Sequence, residues 1–206
     1  MHYVGVDLAW KVGGRSPTGF AVLNDKLNIE KCSIIYSDAD IISAIEAYVP
    51  ECIVAIDAPL IVENAHGHRR CDRELLKMGI PLYPANINRM SRVFGGIRGE
   101  MIVKALEGMG LILMRDIIEV YPYGALRMLL GHVPKYKRMK VEERKLFVRK
   151  VLRTMKVRVT AKISAKAVAN HHMFDAIICA WVAYMFASKK YIMVGDEHGF
   201  IVLPSP

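Results

Sequence analysis

Two short runs of this chain echo each other, and together they dictate a sheet: Tyr3-Val4-Gly5-Val6-Asp7 and Ile53-Val54-Ala55-Ile56-Asp57 are each an apolar stretch closed by one aspartate. A continuous apolar run of this length reads as a strand buried on both faces. A carboxylate at the end of such a strand needs a partner or a task, because burying an unpaired charge is strongly unfavourable. If the two strands are parallel neighbours, their backbones lie about 4.8 Å apart and both carboxylates emerge at the same sheet end. That is a ready site for a divalent metal.

The rest of the chain supplies the partners of those strands. His2 to Asp7, Thr18 to Asn24 and Asn28 to Tyr36 read as three strands, and the short Asn24-Asp25-Lys26 link makes the second and third an antiparallel hairpin. Ser37-Asp38 offers an N-cap to an amphipathic helix over Ile41, Ile42, Ile45 and Val49, which Pro50 stops before the strand Cys52 to Asp57. A helix between strands means a right-handed crossover, so this strand runs parallel to an earlier one. Residues 58–114 read as an inserted helical cap: helix from Arg69 to Met78, an irregular stretch with two prolines from Gly79 to Ile97, and helix again from Gly99 to Leu113. Then come a strand from Ile117 to Tyr121 and helices over Tyr123 to Leu130 and Glu142 to Lys156. A polar segment leads to an apolar last helix, His171 to Ala187, and a hairpin of Tyr191 to Val194 with Gly199 to Leu203.

With 206 residues, 53% hydrophobic and 24% charged, the chain is expected to form one domain over 1–206, which excludes intrinsic disorder. Its longest apolar stretches fall short of the roughly 20 residues a membrane span needs. The chain enters a strand at once, so no signal peptide and a cytoplasmic location are expected. Cys32, Cys52, Cys71 and Cys179 form no CxxC pair and read as buried, reduced thiols. Charge is unevenly placed: thirteen Lys or Arg face only Glu142 and Glu143 between Lys135 and Lys166, while the whole chain carries +9. A concentrated basic segment on a near-neutral body is an electrostatic footprint for nucleic acid, whose phosphates release counterions on contact. A solvated helix face is the plain alternative.

The element order, three strands, helix, strand, insert, strand and then helices, is an α/β arrangement of the RNase H-like type: a mixed five-stranded sheet flanked by helices, with a helical insertion and a C-terminal hairpin. Gly5-Val6-Asp7 with Thr18-Gly19-Phe20-Ala21-Val22, Ala55-Ile56-Asp57-Ala58-Pro59-Leu60, Arg70-Cys71-Asp72-Arg73, Glu119-Val120-Tyr121-Pro122 and Phe174-Asp175-Ala176 occur in that order. Together they resemble the domain-of-unknown-function 429 family, predicted nucleases of RNase H fold, over most of the chain. The resemblance implies a metal-dependent nuclease in which Asp7 anchors the metal, as the first-strand aspartate does across the RNase H-like superfamily. Asp57 is then its first partner, a placement similar to that in RuvC-like resolvases.

Phosphodiester hydrolysis can use two divalent ions, Mg2+ or Mn2+, about 4 Å apart and held by hard carboxylate oxygens. Asp175 interrupts the apolar run Met173 to Ile178 on the last helix and is the expected third ligand. Glu119 sits within a strand rather than after one, and three roles stand for it: fourth ligand, an acceptor behind the ligands, or buried partner of Arg115 or Arg127. His171 and His172 precede Asp175 by four and three positions, so at least one shares its helical face and can orient water or contact phosphate. Arg69, Arg70 and Arg73 open the helix after the Asp57 loop, where they can clamp a phosphate.

Two other readings stand beside the nuclease. A nucleic-acid-binding module can keep the fold without catalysis. The actin-like and sugar-kinase superfamily shares the β-β-β-α-β core, with Gly13-Gly14 and Thr18-Gly19 as phosphate-binding candidates. Those enzymes close two lobes over ATP, and this chain has one opening meander. The apolar last helix and the hairpin are also candidates for pairing with a second subunit.

Overall fold

β1 (His2–Asp7) runs down the middle of a five-stranded sheet, with β2 (Thr18–Asn24) and β3 (Ile29–Ile35) on one side in antiparallel order. On its other side lie β4 (Cys52–Ile56) and β5 (Ile117–Glu119), both parallel to it, giving the order β3-β2-β1-β4-β5. This is the mixed sheet that the sequence predicts. The structure is a computed structural model and describes residues 1–13 and 15–205, so Gly14 lies outside the described residues.

Alternation along the strands sorts the core into two layers. Val4, Val6, Val54, Ile56 and Ile117 face one side, where α1 (Asp38–Glu46) buries Ile41 and Ile45 against them. Ser37 caps α1 by accepting the Asp40 backbone N–H. Tyr3, Ala21, Ile53, Ala55 and Ile118 face the other side.

Residues between β4 and β5 divide between two places. α2 (Arg70–Lys77) packs Cys71 and Leu75 against the C-terminal hairpin. The stretch from Gly79 to Ile97 is not irregular throughout: α3 (Ile87–Arg89) is capped by the Asn86 side chain and continues into a π-helical turn, Met90–Phe94. α4 (Arg98–Glu107) ends earlier than Leu113 and packs Ile102, Val103 and Leu106 beside α1, so this part of the insert is a layer of the core.

α5 (Pro122–Leu130) starts on a proline, whose missing N–H costs nothing at a helix start. A short 3-10 turn, Tyr136–Arg138, precedes α6 (Val141–Thr154). The polar segment that follows holds a helix the sequence reading missed, α7 (Ala161–Ala169). Its lysines hid an alanine-rich run that Thr160 caps by accepting the Ile163 N–H.

α8 (His171–Ala187) lies across the sheet, and a helix apolar all round is one that is enclosed all round. It contacts β1, β2, β3, β4, α5, α7 and the hairpin of β6 (Tyr191–Asp196) and β7 (Gly199–Pro204). Enclosure in the chain's own core corrects the expectation that α8 is available to a second subunit. No helix among the described residues is long and apolar enough to cross a membrane.

Candidate active site

Two glycines bring α8 down onto the sheet. A Cβ on Gly5 would run into the Ala176 carbonyl and the Ala180 backbone nitrogen, and one on Gly19 into the His172 carbonyl. Gly5 and Asp7 are two apart on β1, so the strand that admits the helix also presents its carboxylate to that helix. β4 repeats the device with Ala55 and Asp57. Val6 pairs with Ile56 and the Asp57 N–H donates to the Val6 carbonyl at 2.8 Å, so Asp7 and Asp57 leave the sheet side by side on the α8 face. Asp175, on the first turns of α8, completes the group.

Asp175 is fully buried, and the Tyr136 hydroxyl donates to its Oδ1 at 2.6 Å. The Lys137 ammonium stands 2.7 Å from its Oδ2 and is the partner of that oxygen. Burial first, and then the Asp7 charge, push the Asp175 carboxyl up to about 6. Asp57 is raised well above the carboxylate range by burial, then by Asp7 and Asp175. Burial works against the charge on Lys137, but Asp175, helped by Asp7 and Asp57, holds it protonated.

His172 places Nδ1 2.6 Å from Asp7 Oδ2, and that bond raises the imidazole above its usual value. Its neighbour His171 lies 4.1 Å away ring to ring and is pushed down to about 4 by burial, His172 and Lys137. The two histidines are therefore shifted in opposite directions.

Glu119 is not brought into this group. It pairs with Ile56 across β4 and β5, so alternation turns it to the face opposite Asp57. Its partner is Arg69 rather than Arg115 or Arg127: Nη2 and Nη1 donate to its two oxygens at 2.6 and 2.8 Å, and the Leu60 N–H adds a third bond at 2.8 Å. Arg115 pairs with Asp116 instead. Burial raises the Glu119 carboxyl while Arg69 pulls it back. Only a small cavity of about 80 Å³ touches both Glu119 and Asp57.

Arg69 is buried and spends its remaining donors on Asp72 and the Ile61 carbonyl, which leaves none aimed outward for a phosphate. Arg70 stands on the surface between Glu74 and Asp196, and Arg73 donates to the His68 carbonyl at 2.6 Å. Neither borders the larger cavity beside the carboxylates, about 370 Å³, which Asp57 and Asp175 share with Lys135, Lys137 and Arg138.

Sequence reading missed Tyr136 and Lys137 as site residues. The available signal was a lone aromatic amid basic residues, Lys135-Tyr136-Lys137-Arg138: a ring that stacks on Phe147 and meets Phe174 edge-on anchors the turn that carries Lys137. Asp72 was missed as well; it accepts the Arg69 N–H at 3.0 Å at the start of α2.

A family described as protein of unknown function (DUF429) matches residues 5–94 and 98–198, a span that includes all three converging aspartates and Lys137. No curated protein and no solved structure matches the chain. Since the family match extends over nearly the whole length, the chain belongs to the DUF429 family.

Proposed function

We propose that the protein is a divalent-metal-dependent nuclease, a hydrolase that cleaves phosphodiester bonds of DNA or RNA at the Asp7, Asp57 and Asp175 cluster. The observation that carries this reading is a crowding of acids: Asp57 and Asp175 border one cavity with Lys137, and Asp7, beside Asp57 on the neighbouring strand and bonded to His172, raises both of them. Clustered acids with raised pKa in a cleft are the signature of a site rather than of a stable core. The basic turn at its mouth and the exposed lysines and arginines of α6 supply a surface for a phosphate backbone. Four free, buried thiols accord with action in the cytoplasm.

The donor set suits a hard cation such as Mg2+ or Mn2+: carboxylate oxygens only, one of them, Asp175 Oδ2, buried and already facing a cation in the Lys137 ammonium. Among the described residues no three His, Cys, Asp or Glu side chains are grouped closely enough to hold a metal ion as they stand, and the Lys137 ammonium occupies the cation position against Asp175. Its side chain is half exposed and can swing outward. Asp7, Asp57 and Asp175 would then hold the metal, which supplies Lewis acidity and a water of lowered pKa. Tyr136 fixes the Asp175 carboxylate, and His172, bonded through Nδ1 to Asp7, supplies a group for proton transfer beside the acids. Lys135 and Arg138 bind the flanking phosphates.

The same Lys137 contact favours one second reading, a nucleic-acid-binding module in which the lysine permanently replaces the metal. Calorimetric titration of Mn2+ into the native protein and Asp7→Asn, with incubation of both on labelled single-stranded, duplex and junction substrates, separates the two. The nuclease reading expects metal binding and cleavage in the native protein and loss of both in the variant. Nucleic-acid binding with no metal uptake overturns it in favour of the module.

A further inference from the structure

The cavity beside the carboxylates is not lined as a phosphate site alone. Its walls are Tyr121, Pro122, Tyr123 and Pro134, its mouth carries Lys135 and Arg138, and its floor is Asp57 and Asp175. Tyr121 is pinned by the hydrogen bond from its hydroxyl to the Pro81 carbonyl at 2.8 Å, and its ring lies 6.0 Å from that of Tyr123 at 48°. A second depression of about 410 Å³ shares both rings and continues to Tyr83, whose ring is 74% exposed with the Arg89 guanidinium 5.5 Å from its centre. Aromatic faces thus lead away from the acid cluster with cations beside them.

We infer that this cavity receives an unpaired nucleobase next to the scissile phosphate, and that the substrate is a single-stranded or locally unpaired polynucleotide. The inference rests on the nuclease reading and names its substrate. At about 370 Å³ the cavity is at the small end of ligand sites, the scale of one nucleoside and not of a duplex. Base faces are hidden in a duplex and free in a single strand, where tyrosines stack on them whatever the sequence. The cations at the mouth match the phosphates on either side of the held base. Tyr83 is placed to take the next base along the strand. A phosphate-only site has no use for two tyrosines and two prolines around its acids, and a protein-binding groove has none for carboxylates at its floor.

The test is fluorescence polarisation of a short labelled oligothymidylate, its RNA counterpart and the matching duplex, with and without Ca2+, on native protein, Tyr123→Ala, Tyr123→Phe and Tyr83→Ala. Native protein is expected to hold either single strand at least about tenfold more tightly than the duplex. Tyr123→Ala loses about tenfold of that affinity and Tyr123→Phe keeps it, since the ring and not the hydroxyl does the stacking. Tyr83→Ala, at an exposed ring whose loss leaves the fold intact, loses a smaller factor of about threefold and carries the test if Tyr123→Ala fails to fold. Equal affinity for duplex and single strand, no binding of any probe, or unchanged affinity in both alanine variants overturns the inference. All these readouts are binding without turnover, so absence of metal-dependent cleavage sinks the nuclease reading while leaving a single-strand preference to be seen or not.

Discussion

Two buried clusters of charge lie on opposite faces of the same sheet end, and they are built to different rules. In the first, Arg69 sits between Glu119 and Asp72, and the structure leaves no polar atom of these three side chains without a partner. In the second, Asp7, Asp57 and Asp175 face Lys137 and His172, and two of the carboxyls are driven upward by burial and by one another. The first cluster ties α2, β5 and the loop after β4 together and has nothing left to give to a ligand. The second crowds acids beside an open cavity and makes two of them hard to ionise, at a cost to the fold that a function or a bound cation would offset. Buried acids alone therefore do not mark a site; acids that crowd one another do.

The comparison breaks most visibly at Arg69. Arg69→Met removes the one cation from the saturated cluster and is expected to destabilise the protein by about 3–5 kcal/mol, read by urea denaturation, since two buried carboxylates lose their partner. Tolerance of that change would mean that this cluster is not structural.

Next comes the pH course of the metal-free fold, followed by thermal melting. An acid raised in the native state makes that state bind more protons, so stability falls as pH rises from the unfolded value near 3.9 to the folded one, about 6 for Asp175. The drop is on the order of 2–3 kcal/mol. His172 acts in the same direction: the stability it adds through Asp7 is full below about 6.5 and fades as pH passes its raised value. His171, held down at about 4, works the other way between about 4 and 6.5, so the Asp175 contribution is read as the difference between the profiles of the native protein and Asp175→Asn, and identical profiles would contradict a raised Asp175.

Mirrored neutral substitutions sharpen the contrast. Asp57→Asn should stabilise the metal-free fold by about 1–2 kcal/mol at neutral pH, by removing repulsion from Asp7 and Asp175, while abolishing cleavage. Glu119→Gln should destabilise by a similar amount because Arg69 loses a charged partner. Two shifts of the same sign in thermal melting would erase the distinction between the clusters.

Smallest is Lys137→Met, since its ammonium is half exposed and screened by water. It should lower the melting temperature slightly without metal and tighten Mn2+ binding severalfold by calorimetry. Weaker Mn2+ binding in the variant would show that Lys137 is not a stand-in for the cation.

Much of this was legible in the sequence. The strands at His2–Asp7, Thr18–Asn24 and Cys52–Ile56 are readable because continuous apolar runs and flanking breakers act locally. The pairing of Asp7 with Asp57 followed from a single right-handed crossover. Glu119 was misplaced because its facing depends on the register of β5 against β4, which no local pattern encodes. Arg69 was read as a phosphate clamp because an arginine after a loop looks exposed until the chain folds over it. Tyr136 and Lys137 reach Asp175 across 39 and 38 residues, a distance that residue spacing does not predict.

The sequence by itself determined which residues form strands and helices, that two aspartates end parallel strands, and that a third interrupts an apolar helix. Those are consequences of backbone geometry and of the cost of burying charge, both written in neighbouring residues. Only the tertiary structure decided which acids share a cleft and which arginine is used up inside. Ion pairs are chosen by proximity in space, and proximity is fixed by register, by the approach of α8 over Gly5 and Gly19, and by the packing of the Tyr136 ring.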